Sequence, residues 1–508
     1  MKWLGLGGEW FHDASVTLIN ESGDIEFATM IERFTGKKHD PLIPVPFLKK
    51  YMTIPDTKWI CHDDWSVRKE FRGGMEEMYT SKHLNVDGEP WEQHPSIRSG
   101  LLPTTHHVSH CAAAYATRPE SFDKEDCVMV AIDGIGEYRS MLILNSDFEV
   151  VYEEMFPKSI GYMYANFTAN LPDMGLKANE DEYVVMGLSS HGEPTHWKQF
   201  YEMFNCVPQL NELSPDDQEF YQSLEWKKKS RLKVNHIHKM ENYLFDNCKS
   251  IEDAAASLQR GVEELIFDAM EIARQYGSKL CYSGGVAQNI IANSRIRDLF
   301  DDVWIDLNPG DGGAGLGAAA WHYMQDTGKD RINWKHPYLG NEIKGDLDPE
   351  KVVDHLLKNQ VCGVANGRAE FSYRAYGNRS LIADVRHDVK DTVNEIKQRQ
   401  KFRPFAPAIL EEHADEYFEG HMNRWMQYSC QAKHDYSSVT HVDNSARVQL
   451  VHKESHSVFR QILEVYYERT GIPMLLNTSL NIRGKPMVDN EVDADNFEKR
   501  YGVKVFTK

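Results

Sequence analysis

Several common signatures are missing from this chain. No two of its eight cysteines, Cys61, Cys111, Cys127, Cys206, Cys248, Cys281, Cys362 and Cys430, form a CxxC pair. That removes a zinc knuckle and a dithiol redox motif, and the scatter fits reduced thiols in a cytoplasmic protein. The N-terminal MKWLGLGGEWFHD has no signal-peptide h-region. No apolar run reaches the ~18 residues that would span a bilayer, so a cytoplasmic chain with no membrane partner is expected. Positive charge is also scarce: 57 Lys+Arg stand against 77 Asp+Glu, a net charge of −20. Such a field repels a nucleic-acid backbone, and direct nucleic-acid binding is not expected. One basic stretch, Lys227, Lys228, Lys229, Arg231 and Lys233, reads either as a solvated helix face or as a contact for an anionic acceptor.

What is present is enough chain for two to four domains, at roughly 100–200 residues each. Residues 3–19, WLGLGGEWFHDASVTLI, read as strand, Gly turn, strand. Residues 128–144, VMVAIDGIGEYRSMLIL, repeat that plan about 125 residues later, which suggests two related halves of one α/β domain. Residues 52–100 read as loops and short helices, and residues 108–117 as an Ala-rich helix. Residues 195–250 read as polar helices, and residues 254–275 carry apolar residues at helical spacing. Two strand–Gly loop–helix units follow, KLCYSGGVAQNIIANSRIRDLF and VWIDLNPGDGGAGLGAAAWHYM. The polar, Gly- and Pro-bearing stretch 325–350 reads as a boundary, giving domains of residues 1–340 and 341–508. The second, with apparent strands in VCGVANG, VQLV and PMLLNTSL and a helix in VFRQILEVYYERTG, reads as α/β or α+β.

Several constellations could carry chemistry. His106 and His110 in HHVSH would share one helix face. Neutral imidazoles at that spacing suit a divalent transition metal, or else form a hydrogen-bonded pair. Two ligands do not close a site, so Asp133, after the strand VMVAI, and Asp311, in PGDGGAG, are the candidate partners. Three glycine loops, Gly134–Gly136, Gly284-Gly285 with Asn289 downstream, and Gly310–Gly315 including Gly312, let backbone N–H groups approach phosphate. None of them matches a Walker P-loop or a GxGxxG fingerprint. The second domain gathers Arg368, Arg374, Arg379, Arg386, Lys397, Arg399 and Arg403, and arginine forks bind phosphate and carboxylate bidentately. Asn477 and Ser479 follow an apolar strand and could hold a small polar group or cap a turn. His12, beside Asp13 at a strand–turn junction, is a candidate general base.

Taken together, these pieces resemble the carbamoyltransferase family of nodulation-factor and antibiotic-tailoring enzymes. The resemblance runs from His12-Asp13 through ERFTGKKH, HHVSH, DGIGE, SGGVAQN and PGDGGAGLGAA. It continues through GRAEFSYRAYGNRS, KFRPFAP, HVDNSARVQ, TGIPMLLNTSLN and GKPMV. It implies an actin/Hsp70-like first domain, with ribonuclease H-like halves, followed by a YrdC-like second domain. It also implies that carbamoyl phosphate and ATP, the latter with Mg²⁺, form carbamoyl-adenylate in the second domain, and that a metal-assisted site in the first passes the carbamoyl group to a hydroxyl. By position, His106, His110, Asp133 and Asp311 match the metal ligands and His12 the base. Lys397, Arg403, Asn477 and Ser479 match the adenylation motifs, and Arg374 and Arg379 the Arg-rich motif. His/Asp ligation suits Fe²⁺ first, then Zn²⁺ or Mn²⁺.

The chain departs from the family pattern in three places. Ser372-Tyr373 stands where Gly-Pro is usual, Ala375-Tyr376-Gly377 where Ala-Leu-Gly is usual, and Tyr183-Val184 where Gly-Lys is usual. The acceptor is expected to be a small molecule, a sugar or a hydroxymethylated nucleotide. The competing readings are a nucleotide-binding relative without the chemistry, and carbamoyl or threonylcarbamoyl transfer to a protein thiol or to tRNA.

Overall fold

The computed structural model describes residues 1–8, 12–52, 54–62, 102–136, 138–222 and 235–508. The basic stretch Lys227–Lys233 and most of the loop region expected over residues 52–100 lie outside them. The chain divides into two compact units, Met1–Glu26 with Pro41–Trp334, and Phe27–Asp40 with Lys335–Lys508.

The first unit is built on two five-stranded sheets of one design. In the first, β1 (Lys2–Gly7) pairs antiparallel with β2 (Ser15–Ile19) and parallel with β4 (Thr57–His62), and β5 (Leu102–Thr104) runs parallel to β4. The edge strand β3 (Ile25–Met30), of which Ile25 and Glu26 belong to this unit, completes the order β3-β2-β1-β4-β5. The second sheet comprises β6 (Cys127–Gly136), β7 (Arg139–Leu144), β8 (Val150–Met155), β9 (Lys279–Ser283) and β10 (Asp302–Ile305). Its order, β8-β7-β6-β9-β10, is the same arrangement: a three-stranded meander extended by two parallel strands. The central strands are buried along almost their whole length, as sheets covered on both faces must be. This duplicated order is that of two ribonuclease H-like halves, the actin/Hsp70-like fold the sequence resemblance implies.

Each half ends in a helix, α1 (His106–Thr117) after β5 and α2 (Ala314–Thr327) after β10. α1 packs on β6 and β9, α2 packs on β1, β2 and β4, and the two helices pack on each other. Their contact is close enough that a Cβ on Gly317 would fall 1.9 Å from the Ser109 carbonyl oxygen. The helical-period stretch forms Ile251–Arg274, capped by the Ser250 hydroxyl on the Asp253 N–H. Among the described residues, no helix is long and apolar enough to cross a membrane.

The second unit centres on a mixed sheet. In chain order its strands are β11 (Tyr338–Ile343), β12 (Val361–Ala365), β13 (Gly367–Glu370), β14 (Arg379–Ala383), β15 (Ala406–Leu410), β16 (Phe418–Glu419), β17 (Cys430–Ala432), β18 (Ser445–Ala446), β19 (Gln449–Val451), β20 (Met474–Ser479) and β21 (Val505–Phe506). Six of them form the order β19-β15-β20-β14-β12-β21, with antiparallel pairs at the centre and parallel pairs at both edges. Alternation sorts the core onto two faces. Ile382 and Leu475 join Val353, Leu356 and Leu463 on the face covered by helices Pro349–Asn359 and Phe459–Thr470. Their neighbours Leu381 and Leu476 join Val393, Phe405 and Phe497 on the other.

Candidate functional site

In the first unit, four candidate ligands converge. His106 opens α1, and His110 follows one turn later on the same face, so that their Nε2 atoms lie 3.1 Å apart. β6 pairs regularly with β7 through Ile132, and the register then slips before Gly136. Such an irregularity re-aims side chains at a strand end. Asp133 sits in it, with Oδ2 3.2 Å from His106 Nε2 and 3.0 Å from His110 Nε2. Asp311 opens the short turn that feeds α2, and its Oδ1 lies 3.6 Å from His106 Nε2 and 3.5 Å from His110 Nε2. Gly136 makes room for this arrangement, since a Cβ there would stand 2.3 Å from the His106 ring.

These residues fit a divalent cation. One donor atom from each of the four lies within 4.8 Å of all the others. A metal bonded at about 2.1 Å places its donors about 3.0 Å apart in octahedral geometry and about 3.4 Å apart in tetrahedral geometry, and the distances above fall around those values. The charges agree. Burial opposes ionisation, but Asp133 and Asp311 outweigh it: they raise the pKa of His110 to about 10 and shift that of His106 upward. Burial would likewise raise the carboxyls, but the imidazoles prevail, holding Asp133 well below its ordinary range and Asp311 at about 2. A divalent cation carries the same charge as the two protons these imidazoles would release on binding it.

The surroundings include one residue that the sequence reading missed. His62, the last residue of β4, places Nε2 3.0 Å from His106 Nδ1. Its signal was position: a histidine at the carboxyl end of a parallel strand beside β1, where open α/β sheets collect ligands. His62 and His107 are driven well below their ordinary pKa by burial and by the neighbouring His106. His12 projects Nε2 to 3.6 Å from Asp311 Oδ2 and is held at Nδ1 by Asp13 at 2.9 Å. Burial disfavours its charge, but Asp311, Asp13 and Asp133 prevail and raise its pKa to about 10.

The glycine loops gather around Asp133. The Gly134 N–H donates to Asp133 Oδ1 at 2.7 Å, and a Cβ on Gly285 would lie 3.0 Å from the same oxygen. Gly284 takes φ +89° with its N–H on the Pro309 carbonyl. Gly312 lies in the Asp311 turn. Asn289 does scaffold work instead: its amide bonds Gln259 and caps the helix Ile290–Ile296.

The second unit holds a separate cluster of cations. Lys397 is buried, and Nζ donates to the Ser479 carbonyl and hydroxyl and to the Asn481 carbonyl and side-chain oxygen. Burial pushes its pKa well down, and Arg399 and Arg403 push it further. Arg447, in the HVDNSARVQ segment, is pushed down by burial and then by Arg374, Arg399 and Arg403, so these five cations share one electrostatic neighbourhood. In the sequence Arg447 stands out only as part of that motif. Asn477 binds the Ala375 carbonyl and Gln449, while its own Oδ1 is buried without a hydrogen bond. Arg379 does not fit an anion ligand. Its guanidinium is fully buried and donates to the carbonyls of Asn341, Gly367, Asn378 and Asp489, tying β14 to its surroundings. With the Asn366 carbonyl as well, five acceptors already hold it, whereas an anion contact needs free donors.

Comparison with known proteins bears on both units. Residues 75–320 match the family model described as carbamoyltransferase N-terminus, and residues 353–507 match the one described as carbamoyltransferase C-terminus. Nodulation protein NolO of Bradyrhizobium diazoefficiens is 30% identical, over 77% of this chain and 75% of its own length. Nodulation protein NolNO of Sinorhizobium fredii is 27% identical over 97% of this chain and 77% of its own, and nodulation protein U of the same species is 34% identical over 46% of each. With both parts of the chain matched, and NolO and NolNO covered over 75% and 77% of their length, the chain belongs to the carbamoyltransferase family of enzymes.

Proposed function

We propose that the protein is an ATP-dependent O-carbamoyltransferase working in two stages. In the second unit, which we read as YrdC-like, water cleaves carbamoyl phosphate to carbamate and phosphate, and the carbamate oxygen attacks the α-phosphorus of Mg²⁺–ATP to give carbamoyl-adenylate and release pyrophosphate. In the first unit, the carbamoyl group passes to a hydroxyl and AMP leaves. The observation that carries this reading is the grouping of Lys397, Arg374, Arg399, Arg403 and Arg447 in a chain of net charge −20. Cations concentrated against their own repulsion call for a polyanion. Lys397 fixes Ser479 and Asn481, and Asn477 Oδ1 remains to receive a donor such as a carbamoyl NH₂.

For the transfer stage, His106, His110, Asp133 and Asp311 would hold a divalent transition metal, Fe²⁺ on ligand grounds, with Zn²⁺ or Mn²⁺ as alternatives. When bound, it would supply Lewis-acid polarisation of the carbamoyl or phosphate oxygens. The chain's own part is proton transfer. Asp13 orients His12 through Nδ1; Asp311 and Asp133 favour the protonated ring while no cation offsets them, and with their charge taken up by a bound cation Nε2 would be free to take the proton of the acceptor hydroxyl as it attacks the carbamoyl carbon. The acceptor is a hydroxyl of a small molecule, a sugar or a hydroxymethylated nucleotide.

The test is to incubate the protein with ATP, Mg²⁺ and carbamoyl phosphate, without acceptor, and to follow carbamoyl-adenylate and pyrophosphate by mass spectrometry and phosphate assay. The product should form with wild type and with His110→Ala and vanish with Arg403→Ala. Folded, metal-loaded wild type that makes none overturns the reading.

A further inference from the structure

We infer that His62 is a positioning residue for His106, fixing which ring nitrogen of that ligand faces the metal. The inference rests on the reading that the four-donor cluster holds a divalent cation. A ligating nitrogen must offer a lone pair, and the neutral imidazole carries its single proton on the other nitrogen. His106 Nε2 faces the cluster, with Asp133 Oδ2 at 3.2 Å and His110 Nε2 at 3.1 Å. The proton therefore belongs on Nδ1, and His62 Nε2 stands 3.0 Å from it as acceptor. The two rings lie 4.6 Å apart at 49°.

Local architecture fixes this pair. His62 ends β4 and is in register with Thr104 of β5; Thr105 then caps α1, and His106 is the first helical residue. One strand pairing thus sets both rings. His110 has no such support, since its Nδ1 is buried and makes no hydrogen bond. The acceptor is an imidazole rather than a carboxylate, so it orients His106 without adding negative charge beside Asp133 and Asp311. Outer partners of this kind are commonly worth 10–100-fold in metal affinity.

The test is calorimetric titration of the full-length apoprotein with Co²⁺ and with Zn²⁺ at one fixed pH, comparing wild type, His62→Leu, His62→Gln and His110→Ala, each checked for its melting temperature. His62→Leu, which cannot accept, should bind 10–100-fold more weakly. His62→Gln, whose amide oxygen can accept, should stay within a few-fold of wild type. Should the Leu variant fail to fold, the Gln variant alone decides: near-wild-type affinity supports the inference, and a large loss overturns it. Affinity unchanged in His62→Leu while His110→Ala weakens binding overturns the inference and leaves the metal reading standing. Wild type that binds neither ion, or binds them no better than His110→Ala, overturns the metal reading itself.

Discussion

The Ser372 hydroxyl lies 3.1 Å from the Tyr376 hydroxyl, with both side chains buried. Two of the chain's departures from its family pattern are therefore one interaction. Where Gly-Pro and Leu are usual, this chain has a hydroxyl pair spanning the turn that carries Arg374, and the Ser372 oxygen also accepts the Arg374 N–H at 3.2 Å. Glu370 closes the same turn from beneath, one carboxylate oxygen accepting the N–H groups of Tyr376, Asn378 and Arg379. The hydroxyl pair and the Glu370 carboxylate together hold the turn that carries Arg374.

A double-mutant cycle tests that coupling. Ser372→Ala and Tyr376→Phe should each destabilise the protein in urea unfolding, and the double variant should lose less than the sum, with a coupling of about 1 kcal/mol. Strictly additive losses would mean that the two hydroxyls do not support each other.

Arg379 should behave as a structural residue. Its buried guanidinium satisfies carbonyls of Asn341, Gly367, Asn378 and Asp489, so Arg379→Met leaves several buried acceptors unmet. The expected cost is about 3 kcal/mol or more in chemical unfolding, with KM for carbamoyl phosphate little changed in the folded fraction. Arg403→Ala should show the opposite pattern. A large KM rise in Arg379→Met at wild-type stability would return Arg379 to the anion site.

The contrast between these arginines shows what the sequence could reveal. His106 and His110 were legible because helical spacing alone puts them on one face, and Asp133 and Asp311 because each follows an apolar strand at a glycine turn. The duplicated sheet was legible in the repeat between residues 3–19 and 128–144. Arg379 was not, because nothing local to GRAEFSYRAYGNRS announces that the carbonyls of Asn341 and Asp489 will arrive from distant segments. The same motif hid β14, whose buried RSLIA was read as part of an anion-binding stretch. His62 was lost for a related reason: its partner is 44 residues away, and only the β4–β5 pairing joins them.

Stability should depend on acidity through Glu412. Arg460 holds both of its oxygens, at 2.7 and 2.9 Å, and that hydrogen bonding lowers its carboxyl from 4.5 to about 2. A carboxyl depressed on folding stabilises the protein above its unfolded pKa, and this stabilisation is lost as pH falls through the folded value. Glu412 is 36% exposed, so solvent screening reduces the effect to about 1 kcal/mol. Glu412→Gln should therefore be less stable than wild type at pH 7, with the gap closing between pH 5 and pH 2. A gap that does not change with pH in urea unfolding would rule out this linkage.

Arg447 should trade stability for function. Its Nε is buried without a hydrogen bond, and after burial itself the charges of Arg374, Arg399 and Arg403 do most to disfavour its own. A cation held against such repulsion destabilises the empty fold and is relieved when an anion binds. Arg447→Met keeps the stem and removes the charge. It should raise the stability of the ligand-free protein by about 1 kcal/mol while raising KM for carbamoyl phosphate at least tenfold. Wild type should gain thermal stability on adding carbamoyl phosphate or pyrophosphate, and Arg447→Met should gain much less. If the substitution instead lowers the melting temperature and leaves KM alone, Arg447 is a packing residue and drops out of the anion-binding cluster.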